Sequence, residues 1–570
     1  MESIPRLVEH RHGALPGGHG QQVGSAHRGS PVVRRNSRPG GTLSAVSENT
    51  RSYAQLEAIR TGYVFDGPTL NLGAAVADGE PVADVQVGLP LATMNRHGLI
   101  AGATGTGKTK TLQMMAEQLS EAGVPVFLAD MKGDLSGIAV EGQSNPKLEE
   151  RTQAIGQDWQ PKSAPMDFLT LGGQGKGAPI RTTVTDFGPV LFAKVLGLNQ
   201  TQESALGLIF HYADQAGLAL LDLKDLREVI MFLTSDQGKD ELKNIGGVSP
   251  QTAGVILREL TTFANNGADV FFGEPEFDTA DLLRIHDDGR GVISNLQLPG
   301  VASRPELFST FLMWLLADLF QDLPEVGDVD KPKLVFFFDE AHLLFKGATK
   351  EFLSSIEQTV RLIRSKGVGV FFITQTPKDV PAEVLGQLGN RVQHALRAFT
   401  PDDAKALKAT ARTYPSSEYD LEQLLTQLGT GEAVVTVLSE TGAPTPVAWT
   451  RMRAPQSLMD VAPDSTFDTV IAASPLTPKY AEAIDRESAY EILKARLEKA
   501  DQQTAQAQAP ESAPEQPRER RNTESSREAE PRKTGGFLDN PAVRSMMRSA
   551  GTALGREITR SIFGTARRRR

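Results

Sequence analysis

The stretch that decides the fold reads Leu99-Ile100-Ala101-Gly102-Ala103-Thr104-Gly105-Thr106-Gly107-Lys108-Thr109. An apolar run comes first, three glycines follow, and a lysine and a threonine then open a helical pattern over Thr111–Glu121. This order of strand, loop and helix, with the spacing G-x-x-x-x-G-K-T, is typical of a phosphate-binding loop. A chance glycine-rich turn is the alternative, but the motif is complete and its flanks fit.

The motif gives each part of the loop a chemical role. Glycines let backbone N–H groups approach phosphate oxygens, and the helix N-terminus adds the positive end of its dipole. We expect Lys108 to reach the β- and γ-phosphates and Thr109 to ligate Mg²⁺. The sequence therefore predicts that the chain binds a nucleoside triphosphate through Gly102, Ala103, Thr104, Gly105, Thr106, Gly107, Lys108 and Thr109.

Two carboxylates end the most apolar strand of the chain, Lys333–Phe338. A parallel strand that is buried on both faces gives such a run. In enzymes with a phosphate-binding loop, the aspartate at this place holds Mg²⁺, which assigns Asp339 to nucleotide and metal binding. The adjacent Glu340 is the candidate general base that polarises the attacking water. A solvated acidic turn is the alternative.

Further polar residues follow the later strands. Gln375 ends the strand after the Asp-Glu strand, where it can sense the γ-phosphate and orient water. A turn residue before Pro377 is the alternative. Arg364 and Arg391 are the candidate catalytic arginines, which would reach into a neighbouring subunit's site as an arginine finger. For each arginine the alternative is a surface ion pair, and the full set considered is Arg361, Arg364, Arg391 and Arg397.

Composition narrows the class of protein. The chain has 570 residues, 39% of them hydrophobic, a net charge of -10 and no cysteine. Thiolate metal sites and cysteine nucleophiles are therefore excluded, and a reducing cytoplasm fits this usage. No apolar stretch reaches the ~18 residues of a membrane helix, and the N-terminus does not resemble a secretory signal. We expect a cytoplasmic protein.

Strands that alternate with helical patterns predict an α/β fold with a mostly parallel sheet, a helical insertion, a small N-terminal β element and disordered termini. The predicted divisions are a disordered arm over 1–50, the β element over 51–95, the ATPase core over 96–186 and 291–455, the helical insertion over 187–290, a linker and charged helix over 456–500, a disordered linker over 501–535, and a basic amphipathic helix over 536–570.

Several strings together resemble the HerA/FtsK superfamily of P-loop motor ATPases: Gly102–Thr109, Asp130–Asp134, Leu334–His342 and Ile373–Pro377. Three longer strings look like the bacterial YjgR branch of HerA-like proteins: Lys331–Phe345, Arg361–Gly369 and Leu388–Arg397. The resemblance covers about Ile59–Arg453 and the final helix. It implies an ASCE-type, RecA-like sheet in which the Gln375 strand lies between the loop strand and the Asp-Glu strand. It also implies ATP hydrolysis and a hexameric ring.

The resemblance does not identify the substrate that the ATPase moves. Superfamily relatives move DNA or protein, and the DNA-binding wing or clamp domains of some relatives have no obvious counterpart here. A DNA translocase or helicase, an ATPase that remodels or assembles proteins, and a nucleotide-gated scaffold are therefore three competing hypotheses. Stimulation of ATP hydrolysis by DNA distinguishes the first from the others.

The C-terminal stretch Pro541–Phe563 has apolar residues at helical spacing, with arginines between them and four more at the end. We expect an amphipathic helix. Docking onto its own ring, binding to an anionic membrane surface and contact with nucleic acid remain alternatives for its role.

Overall fold

The computed structural model describes residues 53–298, 305–327, 329–345 and 350–507. Within these residues, twelve strands lie in one sheet. Their bounds are β1 Thr69–Ala77, β2 Glu80–Pro90, β3 Gly98–Ala101, β4 Val126–Asp130, β5 Met166–Leu171, β6 Ala178–Ile180, β7 Ile293–Gln297, β8 Leu334–Phe338, β9 Val368–Thr374, β10 Asn390–Gln393, β11 Glu432–Thr436 and β12 Ala448–Met452.

The helices of these residues flank the sheet and connect its strands. The first, α1, spans residues 53–62. The others are α2 Lys108–Glu121, α3 Pro146–Ala154, α4 Val184–Val195, α5 Gln200–Gln215, α6 Leu223–Thr234, α7 Lys239–Asn244, α8 Pro250–Asn265, α9 Pro305–Asp322, α10 His342–Phe345, α11 Lys350–Ile363, α12 Ala382–Leu385, α13 Pro401–Ala411, α14 Leu421–Gln427, α15 Asp464–Ala473, α16 Leu476–Tyr480 and α17 Ala489–Ala507.

The strand order is β2-β1-β12-β11-β10-β3-β9-β8-β4-β7-β5-β6, and the strands from β10 to β6 in this order are parallel to one another. Strand β9 lies between β3 and β8, as the resemblance implied. The carboxyl ends of these strands meet at one edge, where open α/β sheets bind ligands. The predicted mostly parallel α/β sheet is confirmed.

Both faces of the parallel strands are covered, which explains their continuous apolar sequences. Phe336 of β8 packs against Phe127 of β4 on one face, with ring centroids 5.2 Å apart. The next residue, Phe337, packs against Phe371 on the opposite face at 5.3 Å. Side chains of a strand alternate between the two faces, so one run of phenylalanines supports both hydrophobic layers.

The other end of the sheet is antiparallel. Strand β11 pairs with β10 and β12, and β12 pairs with β1 of the β1–β2 hairpin. The β1–β2 hairpin, which lies where the small N-terminal β element was predicted, therefore continues the main sheet. Strand β12, which the sequence analysis missed, makes this connection.

Helices α4–α8 lie between β6 and β7, in the part of the chain where a helical insertion was predicted. Local sequence explains where two of them begin. Asn199 and Gln202 form a capping box at the start of α5, and Asp222 and Asp225 form one at the start of α6. Each box satisfies backbone N–H groups that a helix start leaves without partners.

Some predicted elements differ from the structure. The sequence Gly62-Tyr63-Val64-Phe65 predicts a short strand, but in the structure these residues are the end of α1 and a non-regular segment, where Tyr63 donates a hydrogen bond to the carbonyl of Val435. The sequence predicts a strand over Arg391–Phe399, but β10 ends at Gln393 because the chain then turns so that the N–H of Leu396 bonds to the carbonyl of Leu425. Helix α17 continues to Ala507, past the predicted start of the linker at 501.

The arm over 1–50, the linker from 508 onwards and the helix over 536–570 lie outside the described residues. Within the residues that are described, no helix is both long enough and apolar enough to cross a membrane.

Candidate nucleotide site

The loop over residues 102–107 connects β3 to α2 at the carboxyl edge of the parallel strands. Neighbouring strands fix its first residues. The N–H of Gly102 donates to the carbonyl of Thr374 at 3.2 Å, and the N–H of Ala103 donates to the carbonyl of Ala395 at 2.8 Å. The loop therefore starts from a rigid base between β9 and β10.

His394 forms the floor of the loop. It is fully buried, and burial lowers its pKa to about 4, so the ring is neutral. Nδ1 lies 2.8 Å from the carbonyl of Glu432 and must donate, which leaves Nε2 to accept from the hydroxyl of Thr111 at 2.9 Å. A Cβ on Gly102 would lie 2.5 Å from the Cβ of His394, so glycine is required there.

Lys108 begins α2 and is only 8% exposed. Its ammonium donates to the carbonyl of Ala103 at 3.1 Å, across the loop. Burial lowers the pKa of Lys108, while the nearby charges of Glu340 and Asp339 oppose that shift. The loop lysine and the carboxylates that follow β8 therefore act on one another electrostatically, as a shared site requires.

Asp339 and Glu340 follow β8 directly and differ in environment. Asp339 is 2% exposed, and burial raises its pKa to about 6 against the opposing charge of Lys132. Glu340 adopts a φ of 47°, a left-handed conformation that is uncommon outside glycine and that clusters at functional sites. Burial is the largest influence on the pKa of Glu340 and raises it, but the hydrogen bond and charge of Lys132, together with the charges of His342 and Lys108, outweigh burial and lower the pKa.

Lys132 joins the two carboxylates. Its Nζ lies 2.5 Å from Oε1 of Glu340 and 3.7 Å from Oδ2 of Asp339. The turn that carries it is held by buried Asp130, whose carboxylate accepts from the N–H groups of Lys132 and Gly133 at 3.2 and 2.6 Å. Because β4 and β8 are adjacent parallel strands, residues that follow them meet at the same edge.

The residues at this edge fit a magnesium ion. Oδ2 of Asp339 is buried and has no hydrogen-bond partner among the described residues. The hydroxyl of Thr109, one residue after Lys108, and the carboxylate of Asp339 are the hard oxygen ligands that Mg²⁺ prefers. Thr109 and Asp339 would hold the ion, which would neutralise charge on the phosphates.

The other predicted catalytic residues lie in different places. Gln375 follows β9 at the carboxyl edge and is exposed. Arg391 lies beside Leu99 in register, before the loop begins, and its guanidinium donates to Thr413 at 2.7 Å. Arg364 starts the 3-10 turn before β9, at the opposite edge, where its charge acts on buried His97. The structure does not bring either arginine to its own chain's loop.

Sequence reasoning missed two functional side chains. Lys132 lies within Asp130–Asp134, one of the strings used for the resemblance, but nothing in the local sequence indicated its bond to Glu340. His394 lay within a string used for the resemblance and received no role. Only the order of the strands in the sheet could have indicated the contact of Lys132, because β4, the strand before Lys132, is adjacent to β8.

Comparison with known proteins agrees with this geometry. The family described as "Helicase HerA-like C-terminal" matches residues 76–570. The chain belongs to this family. The match includes the loop, the Asp339–Glu340 pair and strands β2–β12, but only the last two residues of β1.

Curated relatives are distant. A protein of Sulfurisphaera tokodaii named "DNA double-strand break repair helicase HerA" is 22% identical over 377 residues, which cover 65% of this chain and 67% of the relative. A protein of Methanocaldococcus jannaschii named "Probable helicase MJ1565" is 34% identical over 387 residues, 65% of each chain.

Solved structures show a weaker likeness. The bacterial conjugative coupling protein TrwBdeltaN70 has a TM-score of 0.47 and 14% identity, over 71% of this chain and 95% of that one. VirB4 of Thermoanaerobacter pseudethanolicus has a TM-score of 0.42 and 17% identity, over 71% of this chain and 99% of that one. At these scores the two structures carry no weight for activity.

Proposed function

We propose that the chain is an ATP-hydrolysing motor ATPase that acts on DNA as a ring. The observation that carries the hydrolysis is the meeting of Lys108, Asp339 and Glu340 at one edge of the sheet, with electrostatic effects on one another. Family membership supports the motor, and the printed names of the relatives, which are helicases, support DNA as the substrate.

The arrangement assigns a distinct task to each side chain. Lys108 neutralises the β- and γ-phosphates of ATP as a point charge. Oε1 of Glu340 is bound to Lys132, whereas Oε2 lies 3.3 Å from Nδ1 of His342 and has no hydrogen bond among the described residues. Oε2 is therefore the oxygen that accepts a proton from the attacking water. Gln375, which follows β9 and is exposed, would orient that water.

Titration of ATP and measurement of hydrolysis test this assignment. Lys108→Ala should remove most ATP affinity, whereas Glu340→Gln should keep binding and slow hydrolysis by about 10²-fold or more. Lys224→Ala, at an exposed lysine on α6, is the matched control. Normal hydrolysis by Glu340→Gln would show that another residue activates the water.

The substrate is tested by measuring hydrolysis with and without single- and double-stranded DNA. Stimulation by DNA, which falls as salt rises, is expected for a translocase. The second candidate, a motor that remodels protein, is favoured by the net charge of -10, because a basic surface for DNA is not evident in the composition. A hydrolysis rate that is indifferent to DNA would select this candidate.

A further inference from the structure

The turn that follows β8 brings a histidine next to Glu340. Helix α10 begins at His342, and Nδ1 of this residue lies 3.3 Å from Oε2 of Glu340. Both atoms are buried, and neither has a hydrogen-bond partner among the described residues. Buried polar atoms without hydrogen bonds are uncommon in proteins, and a catalytic role is one of the reasons for which they are kept. Since these two atoms lie side by side, one explanation has to serve for both.

Backbone contacts and buried neighbours fix the position of this histidine. The N–H of Ala341 donates to the carbonyl of Ile373 in β9 at 2.8 Å. Ala341 and Leu344, which flank His342, are both buried. The sheet and the turn therefore set the separation of His342 from Glu340. Hydrogen bonds between catalytic groups are often long until the reacting complex forms, so a separation of 3.3 Å is compatible with proton transfer.

The two side chains that pair with Glu340 differ in what they can do with a proton. Nζ of Lys132 lies 2.5 Å from Oε1. An ammonium group has three donors and no acceptor, so Lys132 holds the carboxylate but cannot take a proton from it. A neutral imidazole ring has one nitrogen that accepts, and its charge changes near neutral pH. Of these two partners, His342 is therefore the one that can accept a proton from Glu340.

The ring of His342 extends from the buried carboxylate to the surface. Its Nδ1 is buried, whereas 33% of the side chain as a whole is exposed. The side chain of Glu340 is only 13% exposed, and its Oε2 is buried. A proton on Oε2 therefore lies out of direct contact with bulk water, while the neighbouring ring reaches both this oxygen and the solvent.

We propose that His342 acts through Glu340, because it orients Oε2 and takes from this oxygen the proton of the attacking water. This inference rests on the proposed hydrolysis of ATP. The water oxygen bonds to the γ-phosphorus, the bond from that phosphorus to the bridging oxygen breaks, and ADP leaves with the electron pair. The proton of the water passes to Oε2 and then to Nδ1. The imidazolium releases a proton to solvent, so both side chains regain their starting charges.

Single-turnover hydrolysis of ATP by the full chain tests this transfer, because it separates the chemical step from product release. His342→Ala should slow the chemical step by about tenfold or more. Its affinity for ATP, measured by titration, should stay within about twofold of the wild type, since His342 acts on Glu340 and not on the nucleotide. His286→Ala, at an exposed histidine paired with Asp288, is the matched control and should hydrolyse ATP at the wild-type rate.

Two further measurements distinguish proton transfer from a structural role of the histidine. Imidazole added to His342→Ala should raise the rate by about threefold or more, because the deleted ring leaves a space that opens to solvent. His342→Asn keeps a polar side chain at this position, but an amide does not take up a proton near neutral pH. This variant should therefore be about as slow as His342→Ala.

The outcomes separate this inference from the proposed function. A wild-type rate in His342→Ala or His342→Asn would overturn proton transfer by His342, and so would a slow His342→Ala chain that imidazole does not restore. Loss of ATP affinity in His342→Ala would overturn its action through Glu340. Glu340→Gln should remain slow when imidazole is present, since the first proton acceptor is missing. Normal hydrolysis by Glu340→Gln would instead overturn Glu340 as the base, which belongs to the proposed function.

Discussion

Lys132 binds Glu340 through the shortest contact at the candidate catalytic pair, 2.5 Å between Nζ and Oε1. Its charge lowers the pKa of both Asp339 and Glu340. Lys132→Met should therefore raise both pKa values. Hydrolysis requires both carboxylates to be deprotonated, so the acid limb of the rate should move to higher pH, by about one unit.

The measurement is kcat/KM for ATP from pH 5 to 9. Lys132→Arg should restore much of the wild-type profile, because it keeps the cation. Lys162→Met, which removes the surface partner of Glu121, should leave the profile unchanged. An acid limb of Lys132→Met that coincides with the wild type would show that Lys132 does not control these carboxylates.

Sequence spacing was sufficient to predict the location of residues that directly follow a strand. The loop residues and the Asp339–Glu340 pair lie at the carboxyl edge because a strand and its following residues are continuous in the chain. The bond between Lys132 and Glu340 was beyond reach, since it depends on β4 and β8 being neighbours although about two hundred residues separate them.

Helix α9 carries a carboxylate in an environment that disfavours its charge. Burial raises the pKa of Asp318 from 3.8 to about 7, and the hydroxyl of Thr279, which donates at 2.6 Å, only partly opposes this. Asp186 and Asp322 raise the pKa further. Between pH 4 and 7 the folded chain therefore holds more protons here than the unfolded chain, so its stability falls as the pH rises through this range.

Asp318→Asn should remove this part of the pH dependence, because the amide is neutral and can still accept from Thr279. Guanidinium unfolding at pH 5 and pH 8 measures this effect. At the higher pH the free energy of unfolding of the variant should exceed that of the wild type by about 1–2 kcal/mol. Asp236→Asn, at an exposed aspartate paired with Lys239, is the control. The prediction would be contradicted if variant and wild type differed in free energy of unfolding by the same amount at both pH values.

Long periodic elements were the most accessible to prediction. Apolar periodicity predicts helices over Thr201–Ala216, Leu223–Leu233, Thr252–Phe263 and Leu307–Leu323, which correspond to α5, α6, α8 and α9. Apolar runs likewise predict strands over Gly291–Leu296 and Lys333–Phe338, which correspond to β7 and β8, and capping residues reinforce α5 and α6. Strand β12 was missed because Ala448–Met452 includes Thr450 and Arg451 and is short. Its strand conformation comes from pairing with β11 and β1, which no local pattern records.

At the scale of the whole molecule, the position of Arg364 bears on assembly. It lies at the edge of the sheet opposite the loop and so cannot complete the site of its own chain. If it acts on ATP, it does so in a neighbouring copy. A mixture of equal amounts of Lys108→Ala and Arg364→Ala chains should then recover activity that neither variant has alone. The reason is that about 25% of the interfaces combine an intact Lys108 from one chain with an intact Arg364 from its neighbour.

Native mass spectrometry should first establish that the two chains exchange subunits. The same mixture with Arg391→Ala serves as a comparison, since Arg391 already bonds to Thr413 and the carbonyl of Leu388. Absence of recovery for both arginines, with exchange demonstrated, would contradict a ring that works through either of them.

The pairing of β1 with β12 also sets an order of events during synthesis. The β1–β2 hairpin is complete at Pro90, but its partner strand begins only at Ala448. At about 5–20 residues per second, the ribosome needs on the order of half a minute to make the intervening chain. During that time the free edge of β1 can pair with another nascent chain. The hairpin is therefore a site at which chaperone binding would prevent aggregation during synthesis.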